Sequence, residues 1–205
     1  GTCGWQHNSW QGTFYPDDLP EEWRLDYFSN AYDVLLVPQQ AWQAWSQATL
    51  LDIVESVDCD FGIYLALENE CGGALENTQT VAQLTDVLSV LGSRVLGFVV
   101  WSEVAFANTM FLQRPVTLIS SQCTLPGWQW QWDAIWMSGN PLGFVTQLPL
   151  EGKAQAELLT SFMASLPKTE EDEPSVTMVP LIVGGEKINM DQVANLKTIG
   201  ELLGY

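Results

Sequence analysis

Basic side chains are scarce in this chain. Seven Lys and Arg stand against 25 Asp and Glu, which leaves a formal charge of −18 over 205 residues. A surface of that sign repels phosphate backbones and anionic lipid headgroups, so nucleic acid and membrane insertion are excluded as leading partner classes. Three explanations of the acidity stay open: a basic partner protein, a salt-rich cytoplasm, or solubility alone. Histidine is rarer still, with His7 the single one. The four cysteines, Cys3, Cys59, Cys71 and Cys123, are far apart and form no Cys-x-x-Cys pair. A Cys/His zinc site therefore has too few ligands, and free buried thiols are expected, with Cys3 inert on a core strand. No apolar run approaches the roughly 20 residues of a membrane helix, and no basic-then-apolar signal segment opens the chain. A soluble, cytoplasmic protein is the expectation. Neither a Gly-x-Ser-x-Gly nor a Gly-x-Gly-x-x-Gly motif occurs, no repeat shorter than a strand–helix unit is visible, and no metal or cofactor is implied.

What is present is apolar and aromatic. Hydrophobic residues make up 47% of the chain and aromatics 11%, enough to bury one core, so a single domain over residues 1–205 is expected. Strand and helix signals alternate. Strands are predicted at Asp33–Val37, Phe61–Leu67, Val95–Trp101, Val116–Ser120, Gly143–Leu148 and Val176–Val183, where Pro180 suggests an edge position or a bulge. Helices are predicted at Pro20–Asn30, Gln39–Val57, Thr78–Leu91, Gly152–Leu166 and from Asn189 or Met190 to Leu203, with a further helical piece at Val104–Gln113. Trp23, Tyr27 and Phe28 would lie near one face of the first helix. Between the strands Val116–Ser120 and Gly143–Leu148, Trp128, Trp130 and Trp132 alternate with Gln129 and Gln131, the signature of an extended strand with three indoles on one face. Such a ladder can cover an open side of a barrel, dock a partner protein, or stack sugar rings.

The opening run organises the rest. Gly1-Thr2-Cys3-Gly4-Trp5 reads as a short strand, and Trp10, Phe14 and Tyr15 crowd the loop after it. Pro20 suits a first helical position, and Glu21 and Glu22 favour the positive end of the helix dipole. Aromatics after a strand either face a ligand or plug a barrel end. Gly4-Trp5, Trp10, Gly12, Phe14-Tyr15-Pro16, Leu19-Pro20 and Tyr27-Phe28 together resemble the signature of domain-of-unknown-function family 72, the YecE-like proteins. That resemblance implies an α/β, TIM-like (β/α) barrel, here a divergent and shortened one of about seven strand–helix units. A full eight-fold barrel typically needs about 250 residues. It brings no established reaction. Measured against the family pattern, Leu36, Pro38 and Ala66 stand where relatives carry Glu, Asn and Lys, while Gln11 and His7 stand where many carry Arg and Tyr. Packing residues are kept and polar ones lost.

Two functions follow as expectations. The first is a non-catalytic binding or interaction module, working with a protein partner or in a larger assembly through the Trp ladder. The alternative is an enzyme, such as a hydrolase of a sugar or phosphorylated metabolite, with a small-molecule ligand at the strand carboxyl ends. Candidates for the latter are His7, Trp10 and Tyr15 from the first loop, Glu68 and Glu70 after the third strand, and Glu103 after the fourth. Histidine is the side-chain type suited to proton transfer near neutrality, and His7 is the single one; paired carboxylates can divide acid and base work. Gly184, Gly185 and Lys187 form a candidate anion nest, or simply a tight strand-to-helix turn.

Overall fold

The computed structural model describes residues 1–69, 73–167 and 179–205. Its strands are Thr2–Cys3 (β1), Val34–Val37 (β2), Gly62–Glu68 (β3), Val95–Trp101 (β4), Met110–Phe111 (β5), Arg114–Ser120 (β6), Trp128–Trp132 (β7), Ile135–Gly139 (β8), Gly143–Val145 (β9) and Leu181–Val183 (β10). Six α-helices accompany them: Arg24–Ser29 (α1), Gln39–Gln43 (α2), Gln47–Ser56 (α3), Thr78–Leu91 (α4), Gly152–Ser165 (α5) and Met190–Leu203 (α6). The strands form one sheet in the order β7-β8-β6-β4-β3-β2-β1-β10-β9, with β5 paired to β6. From β9 round to β6 every neighbour is parallel. The sheet is barrel-shaped and nearly closed.

The continuous apolar runs explain the parallel part. All of Val34–Val37 is buried, as are six of the seven residues of Gly62–Glu68, the pattern of strands covered on both faces. Helix α4 buries Leu84, Val87 and Leu91, starts where the Asn77 side chain accepts from Gln79 N and Thr80 N, and stops at Gly92. Asn189 caps α6 in the same way, by accepting from Asp191 N and Gln192 N.

Several expectations need correction. The long helix over Gln39–Val57 is two helices, because Ser46 accepts from Thr49 N and caps α3. Val104–Gln113 is not helical but a loop ending in β5, which turns back into β6. The Trp128–Trp132 ladder is the extended strand expected, β7, but it is one arm of a hairpin not foreseen: β7 pairs antiparallel with β8, and β8 with β6. Both of these turns hold two residues with positive φ, Leu112 and Gln113 at 44° and 61° and Asp133 and Ala134 at 47° and 62°. That is the conformation of a tight two-residue hairpin turn, made here without glycine or asparagine. Pro180 precedes β10, which lies between β1 and β9 and is therefore no edge strand. Trp23 is 61% exposed while Phe28 is fully buried, so the first helix does not present them on one face. Residues 176–178 of the predicted strand Val176–Val183, and the charged stretch ahead of them, lie outside the described residues.

The sheet does not pair β9 with the β7–β8 hairpin. Across that seam the buried backbone N–H of Phe144 donates to the Met137 Sδ of β8 at 3.2 Å. On the inside, the Trp101 ring at the end of β4 meets Phe144 edge-on at 5.3 Å.

Candidate functional site

Loops after the parallel strands gather the residues singled out from the sequence. The loop after β1 folds back on itself around Trp10, whose carbonyl accepts from the backbone N–H groups of Thr13, Phe14 and Tyr15. Trp10 and Tyr15 are each only 1% exposed. The Trp10 indole donates to Ile188 O at 2.9 Å, which ties the first loop to the turn before α6, and the Tyr15 hydroxyl donates to Trp5 O at 2.6 Å. Burial pushes the Tyr15 phenol well above its ordinary range, with the nearby Arg24 opposing that shift. His7 is half-buried, its ring 4.4 Å from that of Trp10, and its Nε2 is 2.9 Å from Cys3 O. His7, Trp10 and Tyr15 are therefore brought together, and the polar atoms of Trp10 and Tyr15 are engaged by backbone carbonyls.

Two of the positions that depart from the family pattern, Leu36 and Ala66, are buried as well as apolar. Leu36 is fully buried in β2, Pro38 precedes α2, and Ala66 is 5% exposed on β3. The Ala66 carbonyl accepts the buried Trp42 indole N–H at 2.8 Å. An indole from α2 thus occupies the end of β3.

Glu68 is exposed at the end of β3, and its backbone N–H donates to the Gln39 side chain. Its proposed partner Glu70, like Cys71, lies outside the described residues. Glu103 follows β4 and is clamped from β6: Ser121 donates to it through both N and Oγ, and Ser120 Oγ donates at 3.0 Å. Those bonds, led by the Ser121 backbone N–H, hold the Glu103 carboxyl below its usual range. Ser120 Oγ in turn accepts from Gln122 N and Cys123 N, and lies 3.2 Å from the Cys123 thiol. This Ser120–Ser121–Glu103 contact was invisible in the sequence, because residues 17 and 18 positions apart meet only through strand pairing.

Gly184 and Gly185 stand between β10 and α6, beside a cleft of about 180 Å³ that Thr146, Gln147, Lys187 and Gln192 help to line. A Cβ on Gly184 would come within 2.4 Å of the Phe144 ring, and Gly185 has φ +102°. Packing and backbone conformation thus require both glycines. The Gly184 N–H donates to Val145 O, Asn189 engages the start of α6, and Lys187 is exposed.

Trp128 and Trp130 lie beneath α5, 7% and 4% exposed. Their indoles donate to Ser165 Oγ and Ser161 Oγ, and both rings pack on Phe162. Trp132 stacks on Trp130 at 5.9 Å and stays half-exposed. Sequence spacing did not reveal Arg24, a buried guanidinium 5.6 Å over the Tyr15 ring whose NH2 donates to Gln11 Oε1 at 2.9 Å. Among the described residues, no group of three or more His, Cys, Asp or Glu is arranged to hold a metal ion, and no helix is long and apolar enough to cross a membrane.

Fold and site together define a mixed α/β protein whose nearly closed sheet ends in buried, hydrogen-bonded aromatics. Residues 1–102 match the family model for "Protein of unknown function DUF72". A crystal structure of a DUF72 family protein from Thermotoga maritima has the same fold, with a TM-score of 0.52 at 11% identity, covering 100% of this chain and 98% of that one. The chain belongs to the DUF72 family. No curated protein sequence matches it.

Proposed function

We propose that this protein is a non-catalytic contact module: a shortened, TIM-like barrel of about seven units, two of which (after β4 and β6) have a loop or hairpin in place of the helix, one domain, that has exchanged the polar groups of its mouth for packing. One observation carries this reading. The strand ends where a barrel places its chemistry are closed by Trp10, Tyr15 and Trp42, each fully buried and each with its polar atom on a backbone carbonyl. The proton-transfer candidate His7 sits on the Cys3 carbonyl, and Glu103 is held as an acceptor by two serines. A general base needs a substrate proton within hydrogen-bond reach, and these groups already have partners. The proposed setting is the cytoplasm, consistent with Cys3, Cys59 and Cys123 as free thiols. The proposed partner is another protein, in a transient complex or a larger assembly.

The test is a preparation from the native source, sized by light scattering and assayed against glycosides and phosphomonoesters. A mass above the 22.8 kDa of one chain, a co-purifying protein, and no turnover are expected. A lone chain that hydrolyses one of these substrates, and loses that activity in His7→Ala, overturns the reading in favour of an enzyme. The cleft beside Lys187 is the feature that would favour such a small-molecule site.

A further inference from the structure

Nine of the ten tryptophans are buried or half-buried. The tenth, Trp23, is 61% exposed at the end of the 3-10 turn Glu21–Trp23 that leads into α1. Tyr27, one helical turn further on, is 37% exposed, and its ring lies 5.4 Å from Phe14 and 5.7 Å from Tyr15. The buried aromatic plug thus reaches the surface at Tyr27, four residues along the chain from the solvent-facing Trp23. An exposed apolar anchor backed by a rigid core is the arrangement found at interface hot spots.

The stretch of chain around Trp23 carries almost one sign, and the exposed Lys197, which donates to Ala31 O, lies past the far end of α1. Residues 16–60 hold ten Asp and Glu against a single basic residue, Arg24. Arg24 is 7% exposed, over the Tyr15 ring and bonded to Gln11, and it reaches the exposed Glu21 carboxylate only at 3.8 Å, which leaves Glu22 and Asp26 without that counter-charge. Glu21, Glu22 and Asp26 are exposed on the same turn and helix as Trp23. Asp52 and Glu55 are exposed on α3, which joins α1 through Ser29 Oγ donating to Ser56 O at 3.5 Å. Outside this region the charge thins, and residues 115–150 contain one charged side chain, Asp133.

We infer that the outer face of α1, centred on Trp23, docks a Lys/Arg-rich segment of a partner protein with an apolar slot for the indole. Charge selects the occupant. A second copy of this chain would set the same carboxylates against one another, and a nucleic acid or anionic membrane would be repelled. A basic segment gains attraction from both helices while the indole supplies the desolvated centre. The inference rests on the contact-module reading and names its surface.

The experiment follows the ten indole N–H resonances of the 15N-labelled full chain during titration with a short Lys/Arg-rich peptide carrying leucines. The control is the same peptide with Glu for every basic residue. Only the Trp23 resonance, assigned with Trp23→Phe, should move substantially, with no response to the acidic peptide. Trp23→Ala should weaken binding about 10- to 100-fold. The double charge reversal Glu21→Lys with Glu22→Lys should weaken it about tenfold or more, as should raising the salt well above physiological strength. Both variants change exposed side chains, so a melting temperature like that of the parent verifies folding. Shifts spread over many indoles, with Trp23→Ala binding within about twofold of the parent, would overturn the inference as mere polyelectrolyte attraction. Self-association that Trp23→Ala abolishes would overturn it by assigning the face to a second copy. A native complex that persists in Trp23→Ala removes this surface and leaves the contact-module reading standing. A catalytic lone chain removes both.

Discussion

Residues 1–102 and the remainder of the chain solve the same packing problem differently. In the first region β1, β2 and β3 are each followed by helix: the turn and α1, then α2 with α3, then α4. In the second, β4 is followed by a loop and β5, and β6 by the β7–β8 hairpin, before helices return as α5 and α6. The first region is walled by carboxylates, and the stretch 115–150 is almost uncharged. A parallel sheet must have its faces covered. In the second region the β7–β8 hairpin extends the sheet itself, and α5 covers the indoles of β7. The family model stops at residue 102, close to where this change begins.

The comparison can be broken most sharply at the junction between the regions. Trp10→Ala deletes the buried indole that binds the first loop to Ile188, 178 residues away. It should cost about 3–5 kcal/mol in urea unfolding, and a loss below about 1 kcal/mol would mean that the loop does not anchor the C-terminal end of the chain. Met137→Leu keeps the volume at the seam but leaves the buried Phe144 N–H without its acceptor. The expected loss is about 1–2 kcal/mol, with faster exchange of the Phe144 amide; unchanged exchange would show that the sulfur holds nothing. Ala134→Gly should do the opposite, stabilising the hairpin by roughly 0.5–1 kcal/mol, because the native φ of 62° suits glycine better than alanine. A destabilised variant would refute the turn assignment.

The smallest effect at neutral pH concerns the thiols. Burial pushes Cys3 up to about 11 from 9.0, while Cys59 is exposed. At mildly alkaline pH, Cys59 should alkylate readily and Cys3 hardly at all. A raised folded-state pKa stabilises fully below the unfolded value, so the Cys3 contribution should persist to about pH 9 and fade as pH rises through about 11. Cys3→Ala should flatten that alkaline decline, and a decline of unchanged depth would assign it to other groups.

Much of the first region was legible in the sequence. Apolar runs gave β2, β3 and β4 within a residue or two, and helical periodicity gave α4, as it gave α5 and α6 in the second region. The hairpins of the second region were not. Their turns, Leu112-Gln113 and Asp133-Ala134, lack the Asn-Gly or Asp-Gly pair that announces such a turn, so β5 and β8 had no local mark. The break at Ser46 was passed over because the apolar spacing runs on through it, although a serine cap was there to be read. At the site, the crowding of His7, Trp10 and Tyr15 follows from their nearness in sequence. The clamp on Glu103 and the placement of Arg24 over Tyr15 depend on strand and helix geometry that no spacing encodes.

The thioether at Met137 has one more consequence. Everywhere else neighbouring strands are laced by repeated backbone bonds, but between β8 and β9 a single soft, polarisable acceptor spans the gap. Opening of the wall is therefore expected to begin along this one line, where amide exchange would be fastest.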